Sequence, residues 1–185
     1  RSFLSGLRVA ARLKPVIVVK SGRNDSGTRA AISHTGALAG GDHVFDAAIE
    51  RAGAVRVKSV AQLFAAAQVL ASGTRVEGSR LAIITNGGGP GVMAADRAQE
   101  LEVPLAELSA ATHDKLREVL PPYWSHSNPI DILGDAPPER YFKTAEIILA
   151  DRNVDGILVL LTPQAMTDPS GCARAIVEAR GKNSK

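Results

Sequence analysis

A single histidine in a run of small residues is the strongest candidate for chemistry in this sequence. His34 lies in the run Ser33-His34-Thr35-Gly36-Ala37-Leu38-Ala39-Gly40-Gly41, just before an amphipathic stretch. Small side chains let another backbone or a phosphate group come close. A neutral imidazole nitrogen can attack a phosphoryl group and carry it as a phosphoramidate near pH 7. The spacing alone leaves a second interpretation open, in which His34 is a loop histidine that hydrogen-bonds to backbone.

A glycine turn between an apolar run and a helical run is the second candidate. The segment Asn86-Gly87-Gly88-Gly89-Pro90-Gly91 follows the strand-like run Leu81–Thr85. A strand, a glycine turn and a helix N-terminus often hold an anion. The turn does not match the dinucleotide-binding fingerprint, because Val92 occupies the third glycine position. It is not a Walker A loop either. The segment of this chain that comes nearest to a Walker A loop, Gly22 to Gly27, lacks the lysine. A tight turn without a ligand is the alternative. The candidate phosphate- or acyl-binding residues here are Asn86, Gly87, Gly88, Gly89 and Gly91.

Two polar segments elsewhere could contribute to a ligand site. Asn128 and Asp131 flank a proline at the end of a long loop, and Thr162-Pro163-Gln164 follows an apolar strand-like run. Asn128 and Asp131 could orient a ligand at the edge of a sheet, and Thr162-Pro163-Gln164 could line the same crevice. The alternative is that Asn128 and Asp131 make turn hydrogen bonds.

The elements that must position these residues alternate between strands and helices. Such alternation predicts an α/β fold with parallel sheets flanked by helices and right-handed crossovers. Ligands in such sheets bind beyond the carboxyl ends of the strands, which is where the Gly87 turn and the loops after Lys20 and Leu161 would emerge. Residues 21–35 are predicted to be a polar loop. The predicted helices cover 2–13, 42–52, 59–71, 90–100, 110–119, 138–150 and 170–180, and the predicted strands cover 15–20, 54–57, 81–85, 102–105 and 155–161.

Composition narrows the class of protein. The 185 residues are 45% hydrophobic but only 4% aromatic, so the core must be aliphatic, and the formal charge is +3 without a dense basic run. Nucleic acid is therefore not a predicted partner. No apolar stretch approaches the roughly 20 residues that span a membrane. The single cysteine, Cys172, excludes an internal disulfide and favours a reducing, cytoplasmic setting. No metal site is predicted, because His113 and His126 lack partners at ligand spacing.

Three motifs in order resemble NDP-forming acyl-CoA synthetases, which are relatives of succinyl-CoA synthetase. The first runs from Lys14-Pro15-Val16-Ile17-Val18-Val19-Lys20-Ser21-Gly22-Arg23 through the His34 run to Gly53. The others are Thr85–Gly91 and Asn128-Pro129-Ile130-Asp131, with Asp155-Gly156-Ile157-Leu158-Val159 following. The resemblance covers nearly the whole chain, and it favours the phosphoryl-carrying interpretation of His34.

The resemblance implies a reaction and a set of partners. Acyl-CoA and phosphate give acyl phosphate and CoA, and the phosphoryl group passes to His34 and then to ADP. The helix near Pro90 would be one of two whose N-termini face the phosphohistidine. Phosphate and CoA or acyl-CoA are the implied ligands, while ADP/ATP with Mg²⁺ would bind to an ATP-grasp domain or subunit outside this chain. A CoA-binding Rossmann domain is expected upstream.

The expected organisation is two flavodoxin-like synthetase units. Residues 1–72 would be the C-terminal part of the domain that bears the phosphohistidine, 73–79 a linker, and 80–185 a second domain truncated at its C-terminus. The sequence is therefore interpreted as a piece of a longer protein that is inactive alone. The sequence does not specify the acyl group, and it is compatible with a homo-oligomer.

One alternative function belongs to a different class. The same module occurs fused to GNAT-type protein lysine acetyltransferases, where the synthetase-like part would be a regulatory acyl-CoA sensor and His34 could be idle. Trp124-Ser125-His126 resembles that branch. The presence or absence of a GNAT domain elsewhere in the protein would distinguish the two interpretations. A flavodoxin-like nucleotide binder is disfavoured, because neither half carries a nucleotide fingerprint.

Overall fold

The computed structural model describes residues 2–35, 41–73 and 76–182, with only the backbone of residues 34 and 35. The chain divides into two compact units, Arg1–Arg75 and Val76–Lys185. Both contain parallel sheets with flanking helices, which confirms the predicted fold class. The assignment of 1–72 and 80–185 to two domains joined by a linker at 73–79 stays a prediction.

The first unit is built on a two-stranded parallel sheet. Ile17 pairs with Val55 and Val19 with Val57. Its core contains Leu7, Ile49, Ala52 and Ala54, which are aliphatic as the composition requires. The elements in chain order are α1 (Ser2–Leu13), β1 (Ile17–Val19), α2 (Asp25–Thr35), α3 (Asp42–Arg51), β2 (Val55–Val57) and α4 (Val60–Ala71).

Two local signals in this unit act as the sequence suggests. Ser59 caps α4, because its hydroxyl accepts a hydrogen bond from the Gln62 N–H at 3.1 Å. Gly53 ends α3 with φ +77°, a conformation that favours glycine over residues with a side chain. The resulting tight turn leads directly from α3 into β2.

The predicted polar loop over 21–35 is wrong for most of its length. Residues Asp25–Thr35 form α2, and His34 is the penultimate residue of that helix rather than a loop residue. The helix was missed because none of its described side chains is buried, so it shows no apolar stripe. An aspartate in the first turn and alanines at 30 and 31 supply its local preference for helix.

The second unit contains a three-stranded parallel sheet in the order β4-β3-β5. Ile84 pairs with Ile130 on one side and with Val159 on the other. The buried side chains Ala82 and Ile84 belong to one apolar core with Leu116, Trp124 and Tyr141. The elements are β3 (Leu81–Thr85), α5 (Gly88–Glu100), α6 (Ala110–Val119), β4 (Ile130–Asp131), α7 (Pro138–Leu149), β5 (Gly156–Leu160) and α8 (Pro169–Lys182).

Two strand predictions in this unit need correction. The predicted strand at 102–105 is only an isolated bridge between Leu105 and Leu81, because Glu102 has φ +55° and a proline follows at 104. The third strand of the sheet, β4, lies instead in the long segment predicted as a loop. The helix predicted from residue 90 begins two residues earlier, at Gly88.

An aspartate holds the start of β3 to the start of β5. The Asp155 carboxylate accepts hydrogen bonds from the N–H groups of Ser79 and Arg80 at 3.1 and 2.9 Å, and from the Arg80 guanidinium at 2.9 and 2.7 Å. These bonds hold the pKa of Asp155 well below its ordinary value, with the Arg80 side chain as the largest cause. The amino ends of the central strand β3 and the edge strand β5 are thereby fixed together.

Candidate functional site

The carboxyl ends of the three strands in the second unit converge at one edge of the sheet. Beyond β3 lies the turn of Asn86 and Gly87, beyond β4 lies the segment 132–134, and beyond β5 lies the segment 161–164. All three strands run in the same direction, so these segments lie at the same edge of the sheet, the usual ligand position in such sheets. We call it the strand-end crevice.

The start of α5 offers backbone N–H groups to this crevice. The first helical hydrogen bond runs from the Gly91 N–H to the Gly87 carbonyl at 3.3 Å, and Gly87 has no side chain that could cap the helix. Pro90 carries no N–H. The N–H groups of Gly88 and Gly89 therefore precede the helical bonding pattern and, with the helix dipole, suit an anion.

The four glycines of the turn have different physical roles. A Cβ on Gly87 would lie 2.8 Å from Thr162 Oγ1, and one on Gly91 would lie 3.0 Å from Thr85 Cγ2. A side chain at either position would therefore have to displace a threonine side chain of the same unit. A Cβ on Gly88 would lie 3.3 Å from Asp131 Oδ2, whereas one on Gly89 would meet nothing within 4 Å. Gly89 is thus the position where an added side chain would occupy open space.

Asn86 ties the ends of two strands together. Its side chain is 1% exposed; Nδ2 donates to the Thr162 carbonyl at 2.9 Å, and Oδ1 accepts from the Thr162 N–H at 2.6 Å. Both halves of the amide are used, so the side chain holds the loop after β5 against the end of β3. The predicted ligand role for Asn86 stays a prediction, but this pair of bonds explains why an asparagine stands here.

Asn128 sits beside the amino half of β3, not at its carboxyl end. Its Oδ1 accepts from the Ile83 N–H at 3.0 Å, and Nδ2 donates to the carbonyls of Leu81 and Ala106 at 2.8 and 3.0 Å. The amide therefore serves backbone groups along the edge of β3 that β4 does not pair. These partners lie 22 to 47 residues away in sequence, so they are not the turn hydrogen bonds of the alternative interpretation. The predicted ligand role of Asn128 stays a prediction.

Asp131 does lie at the strand-end crevice. It is the last residue of β4; Oδ1 accepts from the Leu133 N–H at 2.9 Å, and Oδ2 is the atom nearest to the position of a Gly88 Cβ. A carboxylate beside a helix N-terminus is stabilised by the dipole. Asp131 can therefore accept a hydrogen bond from a protonated ligand oxygen at the start of α5.

Sequence reasoning missed two residues of this edge. Gly134 follows the unpredicted β4, and a Cβ there would lie 2.5 Å from Gln164 Nε2, so the loops after β4 and β5 touch. Tyr141 on α7 is completely buried, and its hydroxyl donates to the Leu160 carbonyl at 3.4 Å. Burial raises the pKa of Tyr141 above its ordinary value. No sequence signal marked Gly134, because its importance depends on a strand of only two residues.

In the first unit, the backbone of His34 lies at the end of α2, and residues 36–40 of the predicted run are outside the described residues. The next described helix, α3, begins at Asp42 in a charged cluster. Arg56 Nη2 lies 2.5 Å from Asp42 Oδ1 and Arg56 Nη1 lies 2.7 Å from Asp46 Oδ1. The hydrogen bond from Arg56 is the largest cause that holds the pKa of Asp42 below its ordinary value.

The described parts of the chain contain neither a metal-ligand cluster nor a membrane-spanning helix. Within residues 2–35, 41–73 and 76–182, no group of three or more His, Cys, Asp or Glu side chains is placed to hold a metal ion. In the same ranges, every helix is too short or too polar to cross a bilayer.

Comparisons with known proteins match both units. Residues 1–70 match the model of the succinyl-CoA ligase-like flavodoxin domain, and residues 81–183 match that of the Ligase-CoA domain. An ADP-forming acetate–CoA ligase I of Archaeoglobus fulgidus is 44% identical over 184 residues, covering all of this chain and 26% of the relative. The alpha subunit of the ADP-forming acetate–CoA ligase II of Pyrococcus furiosus is 37% identical over 182 residues, covering 97% of this chain and 39% of the relative.

A solved structure gives the same result. The acetyl-coenzyme A synthetase 1 of Candidatus Korarchaeum cryptofilum, in complex with phosphate and ADP, matches with a TM-score of 0.90 and 34% identity over 99% of this chain and 39% of that one. The chain thus spans between about a quarter and two fifths of the length of these relatives. All of them are CoA ligases or synthetases, and they give no support to the acetyltransferase-module alternative. The chain belongs to the NDP-forming acyl-CoA synthetase family, of which it carries a succinyl-CoA ligase-like flavodoxin domain followed by a Ligase-CoA domain.

Proposed function

We propose that this chain is part of an ADP-forming acyl-CoA synthetase that interconverts acyl-CoA, ADP and phosphate with free acid, CoA and ATP. The observation that carries the proposal is the uncapped start of α5, where Gly88 and Gly89 present N–H groups at the strand-end crevice of the Ligase-CoA domain. Phosphate is one of the two ligands named for the solved relative. An anion site at this position is what a phosphate-handling synthetase requires.

In this proposal the reaction proceeds in three displacements. Phosphate attacks the thioester carbonyl of acyl-CoA, the C–S bond breaks, and CoA leaves as an acyl phosphate forms. The His34 imidazole then attacks phosphorus, the P–O bond to the acyl group breaks, and the carboxylate leaves. Finally a terminal oxygen of ADP attacks the same phosphorus, the P–N bond breaks, and ATP forms while the imidazole is regenerated.

The chain's own residues would bind and orient the phosphate. Donors fixed in advance lower the energy of the charge that develops on phosphoryl oxygens, and the Gly88 and Gly89 N–H groups are such donors. Asp131 Oδ2 beside Gly88 can accept a hydrogen bond from a singly protonated phosphate. Asn86 contributes indirectly, because it holds the loop after β5 in place.

Other ligands of the reaction would be bound outside this chain. We assign the nucleotide and its Mg²⁺ to an ATP-grasp domain or subunit, and the CoA moiety to a Rossmann domain upstream. A cytoplasmic location belongs to the same proposal and agrees with the free, buried Cys172. The acyl group is left open.

The test of the proposal is direct detection of the covalent intermediate. The full-length protein that carries this chain is incubated with ATP and Mg²⁺, and an acid-labile, base-stable phosphate is sought and mapped by mass spectrometry. We expect one such phosphate, on His34. Folded protein that binds acyl-CoA but acquires no phosphate under these conditions would overturn the proposal.

A valine at position 89 tests the anion site without disturbing the fold. We expect Gly89→Val to reduce the rate of phosphorylation by about tenfold or more, because its side chain occupies the open space in front of the N–H groups. The free energy of unfolding should fall by no more than about 2 kcal/mol. No atom lies within 4 Å of the new Cβ, so the cost comes from holding a β-branched residue in helical conformation directly before Pro90.

The matched control is Gly181→Val in α8, where a Cβ likewise meets nothing within 4 Å. It should leave phosphorylation unchanged. Phosphorylation at the wild-type rate in Gly89→Val would rule out the start of α5 as the phosphate site, while leaving the role of His34 to its own test.

A further inference from the structure

A pocket lined by basic side chains lies at the carboxyl ends of β1 and β2, in the first unit. The cavity has a volume of about 360 Å³ and is bounded by residues 19–24, 26 and 27 on one side and 58–60 on the other. Lys20, Arg23 and Lys58 line it, and none of the described residues that line it is acidic. We call this cavity the basic pocket. All of these lining residues belong to the first unit.

The loop that forms one wall of the basic pocket has a fixed shape. Gly22 has φ +71°, and its carbonyl accepts a hydrogen bond from Thr28 Oγ1 at 3.0 Å. A Cβ on Gly27 would lie 3.3 Å from Gly22 Cα, so the loop packs directly on the first turn of α2. These contacts fix the loop backbone from which Lys20 and Arg23 extend, so less of the wall has to be ordered when a ligand binds.

The cations at this pocket are poorly neutralised by the protein. Asp42 lies 3.5 Å from Lys20 Nζ and 3.6 Å from Arg23 Nε, but only 2.5 Å from Arg56 Nη2. Arg56 therefore takes most of the carboxylate's interaction, and the contacts of the two pocket cations with it are long. Among the described residues, no carboxylate lies within ion-pair distance of Lys58.

We propose that the basic pocket binds the diphosphate group of a nucleotide-type ligand. Lysine ammonium groups attract phosphate as point charges, and an arginine guanidinium can donate two parallel hydrogen bonds to it. The cations come from both sides of the cavity, Lys20 and Arg23 from the loop after β1 and Lys58 from the end of β2. Three cations can offset the roughly three negative charges of a diphosphate near pH 7, whereas a single phosphate group carries at most about two. This site is additional to the phosphate site of the proposed reaction.

The test uses inorganic pyrophosphate and full-length protein that carries His34→Ala, so that covalent phosphorylation does not contribute. Lysine-selective acetylation followed by mass spectrometry reports which side chains the ligand covers. We expect pyrophosphate to protect Lys20 and Lys58 and to leave Lys115, exposed on α6, unprotected. Equal labelling of Lys20 and Lys58 with and without pyrophosphate overturns the proposal.

Calorimetry on a double variant gives the second measurement. Arg23→Gln combined with Lys58→Gln should weaken the binding of pyrophosphate by about tenfold or more, and the remaining affinity should fall as salt is raised. The control pair, Lys115→Gln with Arg117→Gln, removes the same charges from α6 and should have no effect. Equal affinities in the two double variants overturn the proposal.

Repeating the titration with ADP and with CoA distinguishes the two sources of a diphosphate. The proposed function places other ADP and CoA sites outside this chain, so the readout is the number of molecules bound per protein. One ADP fewer in the pocket variant than in the control pair identifies a nucleoside diphosphate, and one CoA fewer identifies the coenzyme. A pocket that binds neither, with pyrophosphate binding also unchanged, contradicts the proposal. Failure here is distinct from failure of the synthetase assignment, which depends on phosphohistidine in protein with His34 intact.

Discussion

Replacing His34 with alanine in the full-length protein is expected to abolish the acid-labile phosphate and to lower ATP formation from acyl-CoA, ADP and phosphate by at least about 10³-fold. The reason is chemical. In the proposed reaction, the imidazole accepts the phosphoryl group and then transfers it to ADP, and alanine has no nucleophilic side chain to replace it. The fold should be retained, because alanine is the better helix former at a position within α2.

His43 provides the control for this substitution. It lies exposed in α3, nine positions further along the same unit, so His43→Ala removes an imidazole of the same kind from the same domain. We expect wild-type phosphorylation and wild-type turnover in that variant. Measured ATP formation at the wild-type rate in His34→Ala, with His43→Ala also active, would exclude a phosphohistidine mechanism at this position.

The parts of the fold predicted correctly are those with long apolar signals. The strands over Leu81–Thr85 and Gly156–Leu160 were predicted because five consecutive, mostly aliphatic residues are typical of a buried parallel strand. β4 was not predicted, since it is two residues long and exists only because Ile130 pairs with Ile84 far away in sequence. α2 was missed for the opposite reason: it is long enough, but it buries no apolar face that a periodic pattern could reveal.

In the candidate site too, features that depend on local sequence were predictable, and features that depend on residues distant in sequence were not. That a glycine turn leads from β3 into a helix was visible in the sequence, because glycines and a proline act through local geometry. The sequence did not show which of the glycines faces open space, because that depends on Thr162 and Asp131, which approach from other strands. The partner of Asn86 lies 76 residues away, so no local pattern could separate a ligand-binding amide from one that holds two strand ends together.

Substituting Asn128 provides the second large effect, and we expect it to be structural. In Asn128→Ala, the Ile83 N–H and the Ala106 carbonyl lose the partners that the amide supplied at 3.0 Å each, whereas the Leu81 carbonyl keeps its bond from the Ala106 N–H at 2.8 Å. Leaving two buried or half-buried backbone groups unpaired costs about 3 kcal/mol. Because Ile83 is completely buried in the central strand, this cost should appear as local loosening of β3.

Hydrogen exchange of the Ile83 amide in the full-length protein measures that cost at the affected atom. A loss of about 3 kcal/mol corresponds to exchange that is faster by roughly two orders of magnitude. Asn153→Ala is the control, because Asn153 also donates one side-chain bond to a backbone carbonyl, that of Glu107 at 3.1 Å, but does so at an exposed position; it should leave Ile83 protection unchanged. If Asn128→Ala kept Ile83 protected and instead weakened the binding of phosphate, Asn128 would be a ligand residue, and its bonds to β3 would be incidental to its role.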